Sequence, residues 1–120
     1  MEVKLNEHEV KRSLEATCPE CRGPLSESAY GGFREYSCLV GHRYSARALL
    51  HAHSDTQEKS LWSAVVALEE AGNLVREVAT DFPDDVAKEL REQAAKKMEQ
   101  AGEIRRILAQ LEPFQTESAR

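Results

Sequence analysis

Three cysteines and one histidine, Cys18, Cys21, Cys38 and His42, stand in the pattern C-x2-C, sixteen residues, C-x3-H, and they include every cysteine of the chain. Thiolates and a neutral imidazole are the donors a Zn²⁺ prefers, and a pair two residues apart can grip one ion from a single tight knuckle. A second pair from a distant segment completes the tetrahedron. Four protein ligands leave no position for water or substrate, so the chemistry expected is structural: one Zn²⁺ per chain, holding a fold together. Catalysis is not expected. A nucleophilic cysteine would have to be one of the ligands, no glycine-rich phosphate loop is present, and the carboxylates are spread along exposed helical faces.

The other histidines offer less. His51 and His53 form an H-x-H pair, but residues two apart on a helix face different sides, so a second shared metal there would need an extended backbone. Solvated or helix-end histidines are the better account of this pair, and of His8.

The ligands need elements that bring the two knuckles together. Residues 18–53 are read as a zinc ribbon and connector: Pro19, Gly23, Pro24, Gly31, Gly32 and Gly41 break helices and suit short strands. A glycine follows Cys21 closely and another precedes His42, where the backbone must fold around a metal with amide N–H groups toward sulfur. Tyr30-Gly31-Gly32-Phe33 reads as a hairpin turn joining strands near 25–29 and 33–38. In the N-terminal segment, residues 1–17, Asn6 and Glu9 have the spacing of a reciprocal helix cap, but the segment is too short to assign.

Residues 54–112 are read as a helical hairpin. Ser45 is placed to cap a short helix over 46–52, and Ser54 or Asp55 to cap the next. Leu61, Val65, Leu68, Gly72, Val75 and Ala79 recur at helical spacing, with Trp62 and Val66 widening that stripe. Asp81-Phe82-Pro83-Asp84 breaks the pattern. Val86, Leu90, Ala94, Met98, Ala101, Ile104, Leu108 and Leu111 then form a second stripe, which Pro113 stops. Two such helices of about twenty-five residues should pack antiparallel and bury both stripes, leaving 113–120 as a disordered tail. The fold class expected is α+β, a small zinc ribbon followed by a long antiparallel helical hairpin.

Charge narrows the partners. Of the net −5, residues 1–17 carry −1, residues 18–53 carry +1 and residues 54–120 carry −5. Three thiolates and one Zn²⁺ would bring the ribbon to neutrality, so neither half is the basic surface that phosphate-backbone binding requires. No apolar run approaches a membrane span and MEVKLNEHEVKR lacks a signal-peptide core, so a cytoplasmic protein is expected. Its reducing environment suits thiolate ligation.

The motifs also resemble a known arrangement. Thr17-Cys18-Pro19-Glu20-Cys21-Arg22-Gly23-Pro24-Leu25, then Phe33-Arg34-Glu35-Tyr36-Ser37-Cys38-Leu39-Val40-Gly41-His42-Arg43-Tyr44-Ser45, then Leu61-Trp62 and Leu68-Glu69-Glu70 look like the C-terminal extension of bacterial chemotaxis-type protein-glutamate methylesterases. The resemblance covers residues 16–111 and matches Cys18, Cys21, Cys38 and His42 to that extension's metal ligands. This sequence contains no α/β esterase domain with its serine, histidine and aspartate, so the activity does not carry over. What the resemblance implies is a freestanding copy of an accessory module serving bacterial signalling.

Together these readings lead us to expect a non-catalytic, zinc-stabilised protein-interaction module or regulatory adaptor. Tyr30, Phe33, Tyr36 and Tyr44 are its candidate partner-binding aromatics, and a homodimer through the helices is a corollary. The alternative is a nucleic-acid-binding transcriptional regulator using the ribbon.

Overall fold

The computed structural model describes residues 4–6, 9–30 and 32–117, with side chains from Arg12 onward, Tyr30 excepted. Five strands come first: β1 Lys4–Asn6, β2 Glu9–Thr17, β3 Pro24–Tyr30, β4 Phe33–Cys38 and β5 Arg43–Tyr44. Two helices follow, α1 Ala46–Val78 and α2 Asp84–Gln110, joined through a 3₁₀ turn at Ala79–Asp81. The strands form one antiparallel sheet in sequence order, β1-β2-β3-β4-β5. The α+β class and the order of sheet then helical hairpin are as expected from the sequence.

The sheet is larger than the expected hairpin because the N-terminal segment joins it. Asn6 and Glu9 face each other across β1 and β2 instead of capping a helix. In β2, Arg12 pairs with Glu27 and Ser13 with Ser26; the register then shifts before Thr17 meets Pro24. The β3–β4 hairpin runs from Leu25↔Cys38 to Tyr30↔Phe33. Gly32 has φ +86°, the positive value a two-residue hairpin turn demands.

The interior of this sheet is small. Cys18, Leu25 and Cys38 are buried, and Leu14, Ala16, Tyr44 and Leu49 pack partly buried against them. One fully buried leucine contributes only about 1.5–3 kcal/mol, so apolar burial alone cannot hold so small a layer. Beside it on the same strand, Glu27 is also buried, with Oε2 2.6 Å from Arg12 Nη2 and Oε1 3.2 Å from Arg34 Nε. Its carboxylate thus ties three strands through charge-assisted bonds.

A single helix replaces the expected pair at 46–52 and 54 onward. Ser45 does cap it: its Oγ accepts the Ala48 N–H at 3.1 Å. Ser54 and Asp55 lie inside α1, and Ser54 is buried with its Oγ accepting the Phe114 N–H at 3.0 Å. A residue type that favours caps is tolerated mid-helix here because its hydroxyl has another partner.

The chain divides into two compact units, Met1–Thr56 with Pro113–Arg120, and Gln57–Glu112. Residues 113–117 belong to the first. Instead of a free tail, they run beside the opening turns of α1, where Glu117 Oε1 lies 3.0 Å from Arg47 Nη1 and Thr116 Oγ1 lies 3.2 Å from His51 Nε2. Residues 118–120 of the expected disordered tail lie outside the described residues.

In the second unit the helix break falls where Pro83 requires it. The Phe82 N–H closes on the Ala79 carbonyl at 3.1 Å, and α2 opens with Asp84 and Asp85 near its positive end. The stripes bury their small members: Val65, Gly72 and Ala79 on one side, Ala87, Ala94 and Ala101 on the other. Ala87 stands outside the stripe read from the sequence. The larger stripe residues Leu61, Leu68, Val75, Leu90, Ile104 and Leu108 are half-buried, while Val86 and Met98 are exposed. Gly72 has a packing reason: a Cβ there would stand 2.9 Å from Met98 Sδ. Trp62 and Val66, expected in the core, are 43% and 48% exposed. Arg105 covers Trp62 instead, its guanidinium 5.4 Å from the ring centre while it pairs with both oxygens of Glu69.

Candidate metal centre

Each ligand pair sits on a tight turn. In the first knuckle the Cys18 N–H donates to the Gly23 carbonyl at 2.7 Å and the Arg22 N–H to the Cys18 carbonyl at 2.8 Å. Closing it puts Arg22 at φ +65°, a left-handed conformation uncommon for a residue with a side chain. In the second, the Cys38 N–H donates to the His42 carbonyl at 3.1 Å and the Gly41 N–H to the Cys38 carbonyl at 3.2 Å, with Gly41 at φ +107°. The β3–β4 register then sets Cys38 opposite Leu25, directly after the first knuckle.

These turns gather the four donors. Their ligand atoms all lie within 4.8 Å of one another. Cys21 Sγ is 3.6 Å from Cys38 Sγ, and His42 Nδ1 is 3.3 Å from Cys38 Sγ and 3.6 Å from Cys18 Sγ. With metal–sulfur bonds of about 2.3 Å and metal–nitrogen bonds of about 2.0 Å, tetrahedral ligation needs donor separations of about 3.5–3.8 Å. The Cys21–Cys38 and Cys18–His42 separations fall in that range and the Cys38–His42 separation is slightly shorter, so the four side chains lie close enough to hold one metal ion. Cys18 and Cys38 are buried, Cys21 is exposed and His42 is half-buried.

The surroundings favour thiolates at two of the three sulfurs. Burial pushes the Cys38 thiol up, but N–H groups of His42, Val40 and Gly41, together with the Cys21 thiol, outweigh it and bring it down to about 6. Cys18 follows the same logic: burial raises it, while the Tyr44 hydroxyl and the Cys21 and Glu20 amides lower it further than burial lifts it. At Cys21 the Gly23 amide favours the thiolate, yet desolvation and the two neighbouring sulfurs win, and its value is raised. The sulfurs of Cys38 and Cys18 raise Cys21 because a thiolate disfavours a further ionisation beside it.

Two residues complete the surroundings without being ligands. The Tyr44 hydroxyl lies 3.5 Å from Cys18 Sγ, and Glu20 Oε2 lies 3.0 Å from His42 Nε2. Sequence reading missed Glu20, although it stands inside the C-x2-C knuckle, and assigned Tyr44 to an outer surface. Tyr44 instead packs against Cys18, Leu25 and Cys38. Tyr36 faces it across β4 and β5 and is half-buried, and Phe33 is 80% exposed at the hairpin end. The Tyr30 side chain lies outside the described residues. Leu39 and Val40, not singled out from sequence, are exposed at the tip of the second knuckle. Their place inside C-x3-H was the available signal, because residues between two ligands are turned away from the metal.

Among the described residues no other group of three or more potential ligands converges. His51 and His53 sit on α1 with separate partners, Thr116 Oγ1 and the Thr17 carbonyl, the latter 3.0 Å from His53 Nε2. No helix among the described residues is long and apolar enough to cross a membrane.

Comparison of the chain with known protein families, curated proteins and solved structures found no match. The geometry of the Cys3His group therefore carries the functional argument.

Proposed function

We propose that Cys18, Cys21, Cys38 and His42 hold one structural Zn²⁺, and that the chain is a non-catalytic interaction module or regulatory adaptor built on that cross-link. The observation that carries the reading is the set of four Cys and His donors within 4.8 Å of one another, in a sheet whose apolar core is too small to stand alone. Zinc suits three thiolates and an imidazole better than a hard cation does, and a structural ion of this kind contributes on the order of 10 kcal/mol to folding. With all four positions filled by protein, the metal has no site for substrate. Function then falls to the surface, where Phe33, Leu39 and Val40 are exposed apolar side chains near the hairpin and knuckle tips. The resemblance to methylesterase extensions supports a place in bacterial signalling, inside the cytoplasm.

Two measurements test this. Metal analysis of the purified protein is expected to find one zinc per chain; none, or a second exchangeable equivalent, counts against the scaffold. Affinity capture is then compared between wild type and a Phe33→Ser/Leu39→Ser variant that keeps its zinc. Signalling proteins retained by wild type and lost by the variant support the adaptor. Salt-sensitive recovery of DNA or RNA would favour the transcriptional reading in its place.

A further inference from the structure

The imidazole of His42 has two nitrogens, and only the one without a proton can bind a metal. Nδ1 is turned to the sulfurs, 3.3 Å from Cys38 and 3.6 Å from Cys18. Nε2 is turned the other way, 3.0 Å from Glu20 Oε2. Acceptors thus flank the ring on both sides, sulfurs at Nδ1 and a carboxylate at Nε2. A carboxylate only accepts, so the nitrogen facing it carries the hydrogen, and Nδ1 is the nitrogen that would offer its lone pair to a metal held among the sulfurs.

We propose that Glu20 is a positioning residue for the metal, its carboxylate accepting the Nε2–H of His42 and holding the ring in the tautomer and orientation that offer Nδ1. The inference rests on the metal reading of the four ligands and adds a device to it. Glu20 lies between Cys18 and Cys21, so the first knuckle supplies two thiolates and also clamps the ligand of the second knuckle. The clamp links the two halves of the site outside the metal. Glu20 is 58% exposed and His42 36% exposed, so the pair lies on the solvent side of the site, whereas Cys18 lies on its buried side. Nothing else bonded to His42 can replace it, because the ring's other described partners are the sulfurs themselves.

The test compares wild type, Glu20→Ala and Glu20→Gln in two readouts. Zinc affinity is measured by competition with a chromophoric chelator, and the His42 ring state by long-range ¹H–¹⁵N correlation in the zinc-loaded protein. Wild type should show a protonated Nε2 and a metal-bound Nδ1. Glu20→Ala should weaken zinc binding by about 10–100-fold, the usual effect of removing an outer carboxylate from a ligating histidine. Glu20→Gln should recover most of it, since the amide oxygen still accepts from Nε2–H. A wild-type spectrum with metal on Nε2, an alanine variant as tight as wild type, or a glutamine variant as weak as alanine would each overturn the proposal. Absence of zinc from wild type would instead overturn the metal reading beneath it. Should Glu20→Ala not fold, the wild-type ring state and the glutamine affinity still decide.

Discussion

The Tyr44 hydroxyl lies 3.5 Å from the Cys18 sulfur, on the buried side of the four-donor cluster. Burial and the neighbouring Cys18 sulfur both push the phenol's ionisation up, so the Tyr44 hydroxyl keeps its proton and can donate it to that sulfur. Removing only the hydroxyl, in Tyr44→Phe, should leave the sheet folded and weaken zinc binding up to about 10-fold, the low end for a lost outer-shell partner. Chelator competition reads the change. Affinity equal to wild type would mean that the ring matters for packing alone.

Metal removal should act on one unit and spare the other. All three tyrosines, Tyr30, Tyr36 and Tyr44, fall in the sheet-bearing unit, while the single tryptophan, Trp62, falls in the helical one. Chelation, or Cys18→Ser, is expected to abolish the near-ultraviolet tyrosine signal while Trp62 emission holds its position. The sheet has one fully buried leucine to fall back on, and zinc contributes on the order of 10 kcal/mol. A full tyrosine signal after complete metal removal would refute the scaffold role.

Glu27 is expected to matter more than either arginine that binds it. Its side chain is 12% exposed, against 71% for Arg12 and 68% for Arg34. Glu27→Ala strands two guanidinium partners and cuts a buried link across three strands, at a cost of about 1–3 kcal/mol in urea unfolding of the zinc-loaded protein. Arg12→Ala and Arg34→Ala should each cost less than about 1 kcal/mol, because exposed ion pairs are screened and the other arginine remains. Equal losses at all three positions would contradict this ordering.

Arg22 occupies a left-handed backbone position at φ +65° in the first knuckle. Arg22→Gly removes a steric cost of about 1–2 kcal/mol and adds about 0.5–1 kcal/mol of chain entropy to the unfolded state, so it should be neutral to mildly stabilising. Arg22→Val places a branched side chain in the same conformation and should lower the melting temperature of the zinc-loaded protein. A valine variant that melts higher than the glycine one would show that the knuckle relaxes to another backbone form.

Short-range chemistry was legible in the residues themselves. The C-x2-C and C-x3-H spacings are local bites whose geometry is set by the turn that carries them, and the structure brings all four donors within 4.8 Å. Gly31-Gly32 marked the hairpin, Pro83 the helix break and Ser45 the helix start, each because one residue type satisfies a local backbone demand.

Long-range choices were made only when the chain closed. β2 carries apolar Leu14 and Ala16 in a mostly polar segment, too weak a pattern to announce a strand; pairing with β3 supplies the missing hydrogen bonds. Tyr44 turned inward because its strand pairs Tyr36 and leads straight out of His42, a matter of register that composition does not record. Trp62, expected in the core, is exposed and Ala87 is buried, since two helices share one seam and the residues nearest its centre are buried whatever their size. Likewise Ser54 could be read as a cap until Phe114 supplied its hydroxyl with a donor sixty residues away. Sequence therefore determined the donors and the turns that present them, which are local. Tertiary structure decided the sheet partners, the occupants of a small interior and the outer grip on His42, because these depend on which distant segments meet.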